Sequence, residues 1–486
     1  MDTVKIYNVW TRKKGVFRPR GANRAVGLYA CGPTVYDFVH IGNLRTYIFE
    51  DVLRRVLEYA GYAVRHITNI TDVEDKIIRA AGSRGISIAQ LTRPFEKAFL
   101  EDIKKLHILK AEKYPRATMH IREMIALIKA LLKKRAAYQK DGSIYFAIAR
   151  FPRYGKLSRI PKTGLRQGAR IDADEYAKDN AEDFVLWKCT RGGEPSWPAP
   201  FGRGRPGWHI ECSAMAMKYL GPSFDIHAGG VDLIFPHHEN EIAQSEAATG
   251  KKFARYFVES EHLLVNGEKM SKSLGNIITL RDIEARGVGP LAFRYLILTT
   301  HYRSKINFTW EALAAAQNAL AQLERFAETL IEKAKREGRK AKTQKIPLSP
   351  PFSKGEDSIP SLWKREGGKD FNLLRHQFQK AVFNDLDTPA AMALLWNIIH
   401  EYNAAPEKHS AMAMRDMLLD FDKILGLGLD KIRPIRIPPD IRQLATQRDE
   451  FRRAKNWAEA DRIREDLREK GWTVEDATKK SIVRRI

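Results

Sequence analysis

Hydrophobic and polar positions change period along this chain, and the changes lay out its elements. Val26-Gly27-Leu28-Tyr29-Ala30 is a continuous apolar stretch, the pattern of a buried strand. From about Leu44 to Tyr59 apolar residues recur with a helical period, Gly61 supplies a stop, and Ala63-Val64-Arg65-His66-Ile67-Thr68-Asn69-Ile70 returns to β-forming residues. Strand, helix and strand in that order predict a β-α-β unit and a parallel sheet. Residues 118 to 205 lose the alternation. They carry Pro- and Gly-rich pieces such as Phe151-Pro152-Arg153-Tyr154-Gly155 and Gly192-Gly193-Glu194-Pro195, and read as an insertion between two sheet halves. The sheet resumes near Phe224-Asp225-Ile226-His227 and Tyr256-Phe257-Val258.

From Trp310 onward the period is helical. A helix over 310 to 336 places Leu313, Leu320, Leu323, Phe326 and Leu330 on its apolar face, and further helices are predicted over about 370 to 386, 389 to 403 and 409 to 425. Thr388 followed by Pro389 reads as an N-cap and first-turn pair. Amphipathic faces of this kind bury themselves in a helical bundle. Residues 340 to 369 have no usable periodicity and read as a disordered or loosely packed insertion. A final basic helical segment is predicted over about 440 to 470, ending at Gly471.

Two short motifs bring phosphate chemistry to this frame. His40-Ile41-Gly42-Asn43 sits where the first helix begins, so His40 and Asn43 are placed at free backbone N–H groups and the positive end of a helix dipole. About 230 residues later, Lys269-Met270-Ser271-Lys272-Ser273 puts two ammonium groups on a loop after the turn signal Val265-Asn266-Gly267. Such a loop neutralises charge as pyrophosphate leaves a triphosphate, and together the motifs specify ATP activation of a carboxylate. Gly229-Gly230-Val231-Asp232 follows a strand, a place where glycines admit a ligand and Asp232 accepts hydrogen bonds from ribose hydroxyls. Cys31 at the end of the first strand, Cys212, and His237 four residues before Glu241 form a donor set that suits zinc if the sheet gathers them. Spacing alone favours reading the two cysteines as inert buried thiols.

CGPTVYDFVHIGN at 31 to 43, GWHIECSAM at 207 to 215, GGVDLIFPHHENE at 229 to 241 and KMSKSLGN at 269 to 276 resemble the bacterial cysteinyl-tRNA synthetases, densely over residues 1 to 310 and more loosely beyond. One departure is Asn43, where the class I pattern is usually His-Ile-Gly-His; an amide donates hydrogen bonds but carries no charge, so His40 takes the larger role.

The resemblance implies an α/β architecture. A Rossmann-like catalytic domain covers 1-117 and 206-309, with a connective insertion at 118-205. A helical bundle follows at 310-430, interrupted by 340-369, and then a basic anticodon-binding region at 431-486. It also implies ATP-dependent activation of L-cysteine and transfer to the 3′ end of tRNA(Cys). His40, Lys269 and Lys272 are then catalytic, and Gly42, Asn43, Gly230, Asp232 and Ser271 join them at the nucleotide. Thr34, Thr71, Trp208 and His227 line the amino-acid pocket, and Cys31, Cys212, His237 and Glu241 hold one Zn2+, with Mg2+ accompanying ATP. His238 and Glu239 are competing ligands. Arg452, Arg453, Lys455 and Trp457 are candidate tRNA contacts. Two alternatives share the core: a ligase passing activated cysteine to an amino-sugar acceptor, as in mycothiol synthesis, and an inactive RNA-binding or zinc-storage paralogue.

Charge agrees with a polyanionic partner. Lys plus Arg outnumber Asp plus Glu by 83 to 59 over 486 residues, a formal +24. Residues 431 to 486 carry 16 basic and 10 acidic side chains, about twice the chain's average charge density. The three cysteines, Cys31, Cys189 and Cys212, are odd in number and widely spaced, which argues against a disulfide framework and for a reducing cytoplasm. Cys189 has no partner signal. No apolar run reaches the roughly 20 residues that a membrane helix needs, so no membrane role is expected, and the chain is expected to act as a monomer.

Overall fold

A computed structural model describes residues 3–21, 24–159, 183–190, 192–271, 274–343, 371–433, 437–475 and 481–485. The chain forms two compact units. One comprises Met1–Leu323, Ile359–His409 and Asp416–Leu429, and the other Glu324–Ser358, Ser410–Arg415 and Asp430–Ile486.

At the centre of the larger unit is a four-stranded parallel sheet of β1 (Ala25–Ala30), β2 (Ala63–Thr68), β3 (Phe224–Gly230) and β4 (Ala254–Ser260), in the order β4-β3-β1-β2. Helix α1 (Ile41–Tyr59) connects β1 to β2, as the change of period predicts. Val26, Leu28, Tyr29, Ile226, Ala228, Phe257 and Val258 are all buried, which is why these strands read as apolar runs and not as alternating ones. The register pairs Ala30 with Thr68 and Ala228, and Gly230 with Ser260, so the carboxyl ends lie along one edge. The chain leaves β1 for β2 on one side and later places β3 on the other. The crevice between the ends of β1 and β3 is thus a topological switch point, where open α/β sheets bind ligands.

The segment between the two sheet halves holds an antiparallel sheet of Ala137–Lys140, Ser143–Phe146, Phe184–Cys189 and Gly204–Pro206, preceded by the helix Ile121–Lys133. The sequence pattern gives no sign of these strands because each is only three to six residues long, too short for a period to show: Ser143 to Phe146 and Phe184 to Lys188 are buried throughout, while Ala137–Lys140 is partly exposed. Cys189 ends the third of them, its amide donating to Ser143 Oγ at 3.0 Å.

The helical half differs from expectation in two details. The first helix runs Trp310–Thr343, with Leu313, Leu320, Leu323, Phe326 and Leu330 all buried. The next helices span Phe371–Val382, Thr388–Ala404 and Ala411–Leu425, and Phe378 stacks on Phe421 at 3.9 Å. The cap of the second is Asp387, whose carboxylate accepts from Ala390 N at 3.1 Å, so Thr388 and Pro389 are the first helical residues and Thr388 is not the cap. In the smaller unit, the single helix expected over 440 to 470 is two, Pro439–Arg453 and Trp457–Glu469. Lys455 takes a positive φ of 59°, and the Asn456 side chain caps the second helix through Glu459 N. These helices pack with the hairpin Trp472–Glu475/Ile482–Arg485 over Ile441, Ala445, Ile463, Leu467, Trp472 and Val474. The expected insertion at 340 to 369 lies almost wholly outside the described residues. Among the described residues no helix is long and apolar enough to cross a membrane.

One buried ion pair fastens α1 to its surroundings. Arg294, fully buried, donates to Asp51 at 2.6 Å and to the carbonyls of Leu106 and Leu425 at 3.0 and 2.7 Å, while Arg55 donates to the same Asp51 oxygen at 2.7 Å. Burial alone would raise the Asp51 carboxyl, but the two guanidiniums hold it below its ordinary value. Arg294→Met leaves two buried carbonyls orphaned and leaves the Asp51 carboxylate to Arg55 alone. We expect denaturant unfolding to show a loss of about 3–5 kcal/mol; a change within about 0.5 kcal/mol would mean that the arginine is dispensable.

Candidate functional site

The metal candidates come from four segments that meet at the switch point. Cys31 follows β1 directly, its amide donating to Ala228 O on β3 at 3.3 Å. The next residue must be glycine: a Cβ at Gly32 would overlap the Asn69 carbonyl oxygen, and Gly32 N donates to Asn69 Oδ1 at 3.0 Å. Cys212 lies in the second turn of α2 (Trp208–Leu220), His237 in the turn Ile234–His238, and Glu241 in the first turn of α3 (Glu239–Thr249). All four are buried, and one ligand atom from each falls within 4.8 Å of the others.

Electrostatics fits a cation there. Burial pushes the Cys31 thiol well up, and Cys212 beside it pushes further in the same direction. Burial likewise holds His237 well below its usual range, so the imidazole is a neutral ligand. Burial would also raise Glu241, but His227, at hydrogen-bond distance, outweighs it and holds the carboxyl below its ordinary value. Glu241 Oε1 is buried without a hydrogen-bond partner, 3.8 Å from His237 Nε2, and so is an orphaned acceptor that a metal ion would satisfy. Two thiols, one imidazole and one carboxylate make a four-donor set whose chemistry suits zinc.

Further side chains touch three of these four. His227 Nε2 lies 2.7 Å from Glu241 Oε2, and His209 Nδ1 lies 2.9 Å from His237 Nδ1. His238 contacts Cys31 Sγ at 3.6 Å through Nε2 and Glu259 Oε1 at 2.9 Å through Nδ1. Partners of this kind fix the direction of a ligand's lone pair. His227 and His238 form an alternative set with Cys31 and Glu241, again within 4.8 Å, so His238 is a real competitor. Glu239 is not: its carboxylate accepts from Gly155 N, Leu157 N, Ser158 N and Ser158 Oγ at 2.8 to 3.1 Å. His209 and Glu259 went unread in the sequence. His209 stands beside Trp208 in a quoted motif, but Glu259 is separated from every motif and is found only through the strand pairing of β4 with β3.

Two of the amino-acid pocket candidates, Trp208 and His227, border this cluster. Trp208 opens α2 and its ring lies 4.4 Å from that of His237. Thr34 and Thr71 pair with one another beyond the ends of β1 and β2, with Val35 N donating to Thr71 O at 3.1 Å and Thr71 N to Pro33 O at 3.0 Å.

The nucleotide candidates lie along the same edge. His40 is the N-cap of α1; its Nδ1 accepts from Asn43 N at 3.2 Å, and Asn43 Oδ1 accepts from His40 N at 3.4 Å. Asn43 is therefore the reciprocal half of a capping box, a role in which an amide needs no charge. With Nδ1 accepting, and burial lowering the His40 pKa against the pull of Asp232, the imidazole carries its proton on Nε2 as a donor. Gly230 closes β3 and Asp232 follows it in the turn Val231–Leu233. The lysine motif leaves a hairpin in which Leu264 and Val265 pair with Lys269 and Glu268 across Asn266-Gly267, both at positive φ, as the turn signal predicts. Met270 reaches from this loop to Gly42, its methyl carbon 2.6 Å from where a Cβ would stand. Lys269 is exposed, Ser271 N donates to Asn276 Oδ1 at 2.8 Å, and Lys272 lies outside the described residues.

In the smaller unit, Arg452 and Arg453 end the first helix, Lys455 occupies the break and Trp457 is 58% exposed. An open indole among cations suits stacking on nucleic-acid bases.

Comparison with known proteins agrees with this geometry. Residues 17–318 match the family described as tRNA synthetases class I (C) catalytic domain, 377–430 match the DALR domain, and 436–484 match the Cysteinyl-tRNA ligase anticodon binding domain. The chain is 46% identical over 486 residues to a cysteine–tRNA ligase of Chlamydia pneumoniae, covering 98% of this chain and 97% of that protein. With one of Protochlamydia amoebophila it is 42% identical, covering 97% and 96%. Among solved structures, a Mycobacterium tuberculosis methionyl-tRNA synthetase in complex with methionyl-adenylate overlays with a TM-score of 0.57 at 16% identity, covering 83% of this chain and 90% of that one. A leucyl enzyme of Agrobacterium radiobacter, in a ternary complex with tRNA, overlays with 0.59 at 12%, covering 86% and 85%. These two likenesses speak for the fold alone. Family matches along most of the chain, near full-length relatives and a class I fold around the switch point lead to one conclusion: this chain belongs to the cysteinyl-tRNA ligase family.

Proposed function

We propose that the chain is a ligase that joins L-cysteine to tRNA(Cys) in two steps. A cysteine carboxylate oxygen attacks the α-phosphorus of Mg-ATP, and pyrophosphate leaves with the electrons of the broken P–O bond, giving cysteinyl-adenylate. A 3′-terminal ribose hydroxyl of the tRNA then attacks the acyl carbon, and AMP departs. His40 Nε2–H and the free N–H groups at the start of α1, near Gly42 and Asn43, bind the phosphates. Gly230 lets the nucleotide approach, and Asp232 accepts from ribose hydroxyls. Lys269 and Lys272, with Ser271 between them, neutralise the charge that develops as pyrophosphate leaves.

Cys31, Cys212, His237 and Glu241 would hold a zinc ion, which supplies a soft acceptor for the substrate's thiolate. Cysteine and serine are near-isosteres that a shape-fitting pocket separates poorly, so selection by sulfur removes the need for editing. Thr34, Thr71, Trp208 and His227 complete the pocket. Arg452, Arg453, Lys455 and Trp457 contact the tRNA. The match of residues 436–484 to an anticodon binding domain favours tRNA over an amino-sugar acceptor. The enzyme acts as a cytoplasmic monomer.

The observation that carries this reading is the convergence of four ligand atoms within 4.8 Å at the switch point. Cysteine-dependent pyrophosphate exchange, followed by charging of tRNA(Cys) against an amino-sugar acceptor, tests it. Exchange with charging of tRNA alone is expected; exchange with transfer only to the amino sugar would reverse the choice of acceptor, and no exchange would reject the enzyme. Cys212→Ser should lose most of the bound zinc and weaken cysteine binding by about 100-fold or more while ATP binding holds; an equal loss for both substrates would contradict the metal's role. Lys272→Ala should slow exchange by about 100-fold or more with cysteine binding intact. Wild-type exchange in that variant would remove the loop from the mechanism.

A further inference from the structure

The lysine motif is anchored at both roots. On the incoming side it continues the hairpin pairing of Leu264 with Lys269. On the outgoing side Ile278 O accepts from Ile41 N at 2.9 Å, and Thr279 forms a bridge with His40, so this root is tied to the corner where α1 begins. Asp282 secures Thr279 by accepting from its N and Oγ1, both at 2.7 Å. Arg281 adds a third tie, its guanidinium 4.0 Å from the centre of the Phe38 ring and 3.3 Å from Asp102 Oδ2.

Between these roots one side chain spans the loop. Asn276 Nδ2 donates to Lys269 O at 3.1 Å, and Asn276 Oδ1 accepts from Ser271 N at 2.8 Å. The carboxamide thus grips the backbone on both sides of Met270, the residue whose methyl rests against Gly42. A carboxamide alone among small side chains offers a donor and an acceptor in this fork; aspartate keeps the acceptor and loses the donor, and alanine loses both.

We propose that Asn276 is a positioning residue for the activation step: it clasps Lys269, Met270 and Ser271 into one arch held against the His40–Asn43 corner. The Lys269 ammonium is then carried at a fixed height over that corner. Without the clasp the arch samples many backbone conformations, and few of them bring the ammonium to the phosphates. Because Asn276 grips loop backbone among the described residues, its loss leaves the thiol-binding cluster and the sheet as they are. This rests on the proposed adenylation.

Two readouts of Asn276→Ala and Asn276→Asp test it. In cysteine-dependent pyrophosphate exchange, Asn276→Ala should lower kcat by about 10- to 100-fold with KM for cysteine, metal content and melting temperature unchanged, and Asn276→Asp should fall between Ala and the parent chain. In limited trypsin digestion of the folded protein, cleavage after Lys269 should accelerate in the same order. Parent-like cleavage and exchange in both variants would overturn the clasp, and so would a parallel fall of melting temperature and cysteine binding, the mark of a merely structural residue. Faster cleavage in the variants of a chain whose parent shows no exchange would keep the clasp and reject the adenylation.

Discussion

The site depends on bringing soft and hard ligands together in a buried place, and the parallel sheet makes this possible. Cys31 stands at the end of β1, and the residues leading to His237 and Glu241 stand at the end of β3, next to it. A thiol, an imidazole and a carboxylate so close together in a low dielectric are costly unless a cation or hydrogen bonds compensate them. The fold supplies part of that compensation through His227, which lies 2.7 Å from Glu241, and leaves Glu241 Oε1 unsatisfied. A zinc ion held by these residues would meet that remaining need and would supply a soft acceptor for sulfur.

In the proposed reaction the same edge binds the phosphates through the corner where α1 begins. His40 and Asn43 satisfy each other's backbone as a capping box, which frees His40 Nε2 to act as a donor and keeps the imidazole neutral. Asn43 in place of the more usual histidine is thereby accommodated: its task in this structure is to shape the corner. The lysine loop rests against that corner through Met270 and Gly42.

Much of this was legible in the sequence because it depends on local rules. Fully buried strands leave apolar runs, so β1 and the β-α-β unit could be read directly, and Asn266-Gly267 announced a tight hairpin. Quoted motifs named all four metal candidates, but their meeting needed the sheet order, which no local pattern encodes. Where local patterns compete, the reading failed. The four strands between residues 137 and 206 escaped notice since each is only three to six residues long, and the break at Lys455 hides inside a run of good helix formers. The cap of the helix after Leu386 was assigned one residue late because Thr388-Pro389 offers a plausible alternative to Asp387. Glu259 meets His238 through a tertiary contact, and no periodicity marks it.

X-ray absorption at the zinc edge, with and without L-cysteine, tests the central claim most directly. The account predicts two sulfur neighbours at about 2.3 Å in the free protein and three once cysteine is added, with serine giving no change. A sulfur count that stays constant on adding cysteine would contradict recognition of the substrate thiol by the metal.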